Sequence, residues 1–252
     1  HAIHRYGLPN LLPQNIELIH GPGCPVCVLP ISRLDQAIAL AKQEDIIFCS
    51  YGDMLRVPGS NQMSLLKAKS EGADVRMIYS IDDALALAEK HPKKKIIFFA
   101  IGFETTTPPT AASIKRAEQL KLKNFFVFCN HVLTPPALSA ILNIQQDKKL
   151  NGIIGPSHVS VIIGSEAYVS VSQQYQMPIV IAGFEPCDIL QSILMLVTQV
   201  NENKSEVQNQ YTRAVIKEGN QKAKEIMNDV FTLRESFEWR GLGAIPKSAL
   251  KI

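Results

Sequence analysis

The chain has 252 residues, 46% apolar and 19% charged, with a net charge of +3, so it holds enough apolar surface for one large or two small cores, which argues against disorder. The charge is spread along the sequence, with KKK at 93–95 as its densest basic run, and no electrostatic footprint for nucleic acid emerges. The longest apolar runs, such as IIFFAI at 96–101, fall far short of a bilayer span, and five cysteines, an odd number, speak against a secreted disulfide scaffold.

The expectation is a cytoplasmic protein with no nucleic-acid or membrane partner and no signal peptide. The chain opens on His1 rather than Met and stops at PKSALKI, so both ends read as cut.

In chain order, short apolar, β-branched or aromatic runs occur at IELI (16–19), DIIFCS (45–50), VRMIY (75–79), KIIFFAI (95–101), FFVFC (125–129), GIIG (152–155) and PIVIA (178–182). These read as buried parallel strands. Helical spacing lies between them, as in Leu34, Ile38 and Ala41, in Leu85, Ala88 and Glu89, and in the apolar PCDILQSILMLVTQV. Helix starts are marked by Ser32 ahead of Asp35, Thr107 ahead of Pro108, Thr134 ahead of Pro135 and Ser165 ahead of Glu166. Beyond residue 201 the spacing predicts one helix, NQKAKEIMNDVF, and no further buried parallel strand.

Strands alternating with helices imply an α/β fold with mainly parallel sheets flanked by helices. An internal echo refines this. IIFFAIGFETTTPP and PIVIAGFEPCD are each a buried strand, then Gly-Phe-Glu, then a proline-opened helix, about 80 residues apart. Two similar α/β domains are therefore expected rather than one continuous sheet, over residues 1–108 and 109–230, with 231–252 as a connecting segment. A (β/α)8 barrel competes but lacks an eighth unit.

In such folds ligands bind beyond the carboxyl ends of the strands. The residues there are His20, Cys24 and Cys27 after the first run, Tyr51 and Asp53 after the second, and Asp82 and Asp83 after the third. Glu104 and Thr105 to Thr107 follow the fourth, Asn130 and His131 the fifth, Ser157 and His158 the sixth, and Glu185 and Asp188 the seventh. Singly these are ordinary turn residues. As a set of thiols, imidazoles and carboxylates they are the ingredients of a metal or redox site.

The pair Cys24 and Cys27 sits in HGPGCPVCVLP at 20–30. A structural zinc site needs four ligands. Cys49, Cys129 and Cys187 are isolated, two of them inside strand runs where thiols act as small apolar fillers. A thioredoxin-like dithiol opens a helix whose N-terminus lowers the thiol pKa, whereas the predicted helix begins only at Ser32. Redox exchange, soft-metal binding and a rigid turn all remain open readings of C-x-x-C. The other glycine loop, SYGDMLRVPGS at 50–60, matches no phosphate-binding pattern, and no G-x-S-x-G elbow occurs.

Taken in order, HGPGCPVCVLP, YGDMLRVPGS, GFETTTP, GPSHVSVIIG, AGFEPCDIL and EWRGLG closely resemble the signature blocks of the HypD family, which helps build the iron centre of NiFe hydrogenases. The resemblance spans essentially the whole chain. It implies two related α/β domains facing a cleft, plus a further domain carrying a 4Fe-4S cluster. It also implies an assembly scaffold, with redox participation, on which iron acquires two cyanides and one carbon monoxide. HypC would be the small partner, and HypE the cyanide donor through a thiocyanate.

Residue by residue, the resemblance makes Cys24 and Cys27 a redox dithiol with His20 just upstream. Glu104 matches the Glu of the G-F-E-T-T block, His158 the His of the H-V-S block, and Glu185 with Asp188 the G-F-E-P-x-D block. Ser157 replaces the usual glycine. HAI at 1–3 looks like the tail of a C-G-G-H-T-H segment, so the expected iron-ligand cysteine lies upstream of His1 and the cluster cysteines downstream of Ile252. A general thiol-disulfide oxidoreductase of α/β fold is the alternative.

Overall fold

The structure, a computed structural model, describes residues 2–144 and 150–252. It divides into two units, His1–Gly23 with Thr134–Lys224, and Cys24–Leu133 with Glu225–Ile252. The latter is called the dithiol unit below, the former the second unit. Residues 2–23 of the second unit hold one helical turn, α1 (Ala2–Arg5), and a 3-10 turn whose Leu8 is buried.

The dithiol unit follows in α/β order: α2 (Pro25–Val28), α3 (Ile31–Ala41), β1 (Ile46–Ser50), α4 (Leu65–Ser70), β2 (Val75–Met77), α5 (Ile81–Lys90), β3 (Lys95–Gly102), α6 (Thr107–Gln119) and β4 (Phe125–His131). Its sheet is parallel, in the order β2-β1-β3-β4, with Ile47 beside Ile96 and Phe98 beside Val127. All of β1, and all of β3 after Lys95, is buried, as a continuous apolar run in a doubly covered strand requires.

Alternate residues of these strands build two layers. Ile47, Cys49, Ile96 and Phe98 face Ile81, Ala84 and Ala88 of α5. Phe48, Phe99 and Phe128 form a ladder of neighbouring rings 5.6 and 5.5 Å apart. Full burial of a ring such as Phe48 or Phe99 contributes about 1.5–3 kcal/mol. The buried positions of α3, Leu34, Ala37, Ile38 and Ala41, have the spacing of one helix face. Ser80 and Asp83 close a capping box at the start of α5, which holds the Asp83 carboxyl below its usual range through bonds from the Ser80 and Tyr79 amides.

The chain then supplies the rest of the second unit: α7 (Thr134–Ile144), β5 (Ile153–Gly155), α8 (Ser157–Ile163), α9 (Val169–Tyr175), β6 (Ile179–Ile181), α10 (Pro186–Asn201) and β7 (Val207–Asn209). Its sheet, β5-β6-β7, is also parallel, with Ile153, Ile179 and Val207 in register. One cluster joins Ile179 and Ile181 to Tyr168 and Val171; another joins Leu8 to Ile189 and Ile193 of α10. The fold is thus α/β, two parallel sheets flanked by helices, rather than one closed barrel.

Helix α11 (Gln221–Val230) contains the boundary between the units, and β8 (Thr232–Leu233), β9 (Ser236–Trp239), β10 (Gly243–Pro246) and β11 (Leu250–Lys251) complete the dithiol unit as two antiparallel pairs, β8 with β11 and β9 with β10.

Several sequence expectations change. IELI at 16–19 is no strand: Ile16 and Leu18 pack by one side against the Leu8 cluster, and the Ile16 amide donates to the Pro13 carbonyl at 3.0 Å in a local turn. A parallel strand does lie beyond 201, the half-buried β7, whose three residues Val-Gln-Asn are too few and too polar to mark it. The division falls at 133/134 rather than 108/109, because α6 and β4 continue the first sheet through seven paired residues of β3 and β4. Nor is 231–252 a connector, since Phe231, Trp239 and Leu250 are buried in the dithiol unit.

The helix starts shift as well. α3 begins at Ile31, and Asp35 accepts from the Ser60 amide at 2.8 Å and hydroxyl at 2.7 Å instead of capping with Ser32. α6 is capped at Thr106, one residue before the expected Thr107, and after Ser165 a 3-10 turn, Glu166–Tyr168, leads directly into α9.

Candidate functional site

In the dithiol unit, Cys24 and Cys27 are joined by a disulfide, with their Cα atoms 5.2 Å apart. A short helix begins at once: Cys24 is the N-cap of α2, Pro25 occupies its first position, and the Cys27 amide donates to Cys24 Sγ at 3.1 Å. The expectation that no helix opens before Ser32 is corrected. Pro25, with its fixed φ and no N–H to satisfy, starts this turn although the apolar periodicity begins later. Cys27 is exposed and Cys24 half-buried.

What fixes this turn comes from far along the chain. Val28 and Leu29 are buried, and the Arg240 amide donates to the Val28 carbonyl at 2.8 Å. Trp239, 1% exposed, packs on Phe103 with ring centroids 6.1 Å apart and donates from Nε1 to Ser248 Oγ at 2.8 Å. The hairpin of β9 and β10 therefore braces both the dithiol helix and the turn that ends β3.

That turn carries Glu104, whose side chain is buried. The Phe103 carbonyl accepts from the hydroxyls of Thr106 and Thr107, each at 3.1 Å. Gly102 is obligatory here, because a Cβ would lie 1.6 Å from Thr106 Oγ1. Thr110 then donates to the Thr106 carbonyl at 3.1 Å and meets His131 Nε2 at 2.9 Å. With the Thr110 proton so used, the ring donates from Nε2, and its Nδ1 has no hydrogen-bond partner. Burial pulls His131 down to about 4, against a small opposing effect of the Gly102 carbonyl.

The remaining thiols of this unit behave as fillers. Cys49 and Cys129 are buried, and burial pushes the Cys49 thiol up to about 12.

In the second unit, the G-F-E-P-x-D block forms the start of α10. Glu185 is the N-cap, Pro186 the first position, and Asp188 completes a capping box, accepting from the Glu185 amide at 3.2 Å. Asp188 is also gripped by both arms of Arg213, Nη1 to Oδ1 at 2.9 Å and Nη2 to Oδ2, and by Gln210 Nε2 at 2.9 Å. Arg213 holds its carboxyl well below the usual carboxylate range. Gly183 makes room, since a Cβ there would lie 2.1 Å from Asp188 Oδ2.

Glu185 itself is exposed and 3.9 Å from Arg213. His158, exposed on α8, lies against Phe184 at 4.2 Å, Phe184 meets Tyr211 edge-on at 5.7 Å, and Arg213 lies over Tyr211 at 4.5 Å. Ser157 donates to the Ala182 carbonyl, so the residue in the family's glycine position ties α8 to the end of β6. His20 is exposed and stacked on His4, rings 5.5 Å apart.

Cys24, Cys27 and Glu104 thus belong to one unit, and His20, His158, Glu185 and Asp188 to the other. Within the second unit, His158, Glu185 and Asp188 are linked through Phe184, Tyr211 and Arg213. Arg213 and Gln210, which the strand-end reading missed, lie just past β7; recognising that strand would have placed them. Among the described residues, no group of three or more His, Cys, Asp or Glu side chains gathers so as to hold a metal ion, and no helix is long and apolar enough to cross a membrane.

The family profile HypD, described as "Hydrogenase formation hypA family", matches residues 1–252. The chain is 62% identical over 256 residues to the "Hydrogenase expression/formation protein HupD" of Azotobacter chroococcum mcd 1, and 62% identical to the "Hydrogenase maturation factor HypD" of Azotobacter vinelandii. Both alignments cover all of this chain and 68% of the relative. It is 47% identical over 252 residues to the "Hydrogenase maturation factor HypD" of Escherichia coli (strain K12), covering 67% of that protein.

Proposed function

This chain belongs to the HypD family and takes part in hydrogenase maturation; from that premise we propose that it is a scaffold for the Fe(CN)2CO group of NiFe hydrogenases. In this reading it works in the cytoplasm with a HypC-like small chaperone and accepts cyanide from a HypE-like donor. Iron is its cargo.

The observation that carries the redox part is the Cys24–Cys27 pair, close enough to bond, on a stiff helix start with Cys27 exposed. In the reduced state the exposed Cys27 thiolate attacks the sulfur of a donor thiocyanate, forming a mixed disulfide as cyanide leaves. Cys24 then attacks Cys27, and the donor departs as its thiol. One thiocyanate and two thiols become one donor thiol, one hydrogen cyanide and one disulfide, so two electrons pass from the pair to the donor.

The 4Fe-4S cluster that the family resemblance implies finds no fit among the described residues. Cys24 and Cys27 bond each other, Cys49 and Cys129 are buried, and Cys187 is alone in the second unit. No step is therefore drawn through it.

The test is complementation: full-length protein carrying Cys24→Ser or Cys27→Ser, expressed in cells lacking their own HypD, should leave NiFe hydrogenase immature, with no infrared bands of iron-bound cyanide on the complex with HypC. Normal maturation by either variant would refute the dithiol role. The exposed Cys27 equally favours a second reading, general thiol-disulfide exchange. Insulin reduction by the chain, abolished by Cys24→Ser, would select it.

A further inference from the structure

Two arginines of the dithiol unit converge on one carbonyl oxygen. Arg33 Nη2, from the first turn of α3, donates to the Cys129 carbonyl at 3.1 Å, and Arg234 Nη2, from the link between β8 and β9, donates to the same oxygen at 3.4 Å. Arg33 is held further by Asn130 Oδ1 at 2.6 Å, by Gln36 Oε1 at 3.1 Å and by the face of Phe128 at 4.1 Å. Arg234 donates from Nε to the Leu250 carbonyl at 3.0 Å. The ring of Phe237 lies 6.0 Å from each guanidinium carbon.

No carboxylate answers these charges: among the described residues neither arginine has an ion-pair partner within 4.0 Å. Burial, and then the charge of Arg234, pull Arg33 down to about 10. Each guanidinium has five N–H donors; Arg33 uses three and Arg234 two.

We propose that Arg33 and Arg234 form a binding site for a phosphate group. Two half-buried like charges with unused donors need a counter-charge, and guanidinium forks match oxyanions. A phosphate is favoured over a carboxylate because its charge approaches −2 and its three free oxygens serve both forks together; a carboxylate has one charge and two oxygens.

The experiment is calorimetric titration of the full-length protein with inorganic phosphate, and in parallel with glycerol 3-phosphate, sodium chloride holding the ionic strength constant. Saturable binding is expected, weakened ten-fold or more in Arg234→Gln, whose fold is checked by circular dichroism. Arg33→Lys, which keeps the charge but not the fork, should weaken binding three-fold or more. Tighter binding of the monoester would assign the site to a phosphorylated molecule, and tighter binding of inorganic phosphate to the free ion. No saturable binding of either probe by the unmodified protein, or equal binding by Arg234→Gln, would overturn the proposal.

Discussion

Trp239 packs its indole on Phe103 at 6.1 Å, and so joins the last hairpin of the dithiol unit to the turn that carries Glu104. The adjacent Arg240 amide holds the end of the dithiol helix at Val28. One short antiparallel element thus fixes two segments, the dithiol helix and the turn after β3, that lie 75 residues apart in sequence, as counted from Val28 to Phe103.

Trp239→Ala should therefore cost about 3–5 kcal/mol of stability, as a buried aromatic truncation does. Urea unfolding monitored by circular dichroism measures this. A loss under about 1 kcal/mol would mean that the hairpin is not part of the core.

Asp188→Asn should destabilise the second unit by about 1–3 kcal/mol, because it leaves a charge-assisted bond to Arg213 unmade; the half-exposed arginine keeps the loss at that scale. The folded carboxyl titrates below its ordinary 3.8. Its contribution is accordingly complete above that pH and is lost as pH falls further. Denaturation midpoints at pH 7 and pH 3 should converge between Asp188→Asn and the unmodified protein, and a gap that stayed constant would contradict the pairing.

His131 gives a second window of acid sensitivity, at higher pH. Its folded value of about 4 lies below the ordinary 6.5, so above pH 6.5 it is neutral folded or unfolded. As pH falls from 6.5 towards 4 only the unfolded state takes up the proton, and stability drops by about 1.4 kcal/mol per unit, about 3 kcal/mol in all. His131→Gln should flatten that part of the stability profile by one proton. An unchanged slope would show that His131 protonates freely in the fold.

How legible this was depended on how each residue is buried. IIFFAI, after the exposed Lys95, announced β3 because both faces are covered, leaving no polar residue in the run. IELI misled because one-sided packing against Leu8 imitates a strand, and β7 escaped because it is a three-residue, half-buried edge. Within the candidate site, Asp188 stood out, but Arg213 lies 25 residues on in a polar stretch, and only the tertiary pairing of β6 with β7 brings it to the carboxylate. Trp239 lies in the block EWRGLG, yet nothing in that block says that its partner is Phe103. Contacts between distant segments carry no period along the chain.

The exposed position of Cys27 sets an order of reaction. After reduction, a limiting amount of iodoacetamide should label Cys27 several-fold faster than Cys24, read by peptide mass spectrometry. Equal labelling, or Cys24 first, would reverse the roles of attacking and resolving thiol.

The central claim is that Cys24 and Cys27 supply the two electrons that free cyanide. Reduced full-length protein is mixed without oxygen with a thiocyanate-loaded HypE-like donor, and the thiols of this chain and of the donor are counted separately against cyanide released. For each cyanide two thiols of this chain should disappear and one donor thiol should appear, with Cys24 and Cys27 recovered as a disulfide, no release in Cys27→Ser, and a trapped mixed disulfide in Cys24→Ser. Cyanide released with both thiols still free, or released equally by Cys27→Ser, would contradict it.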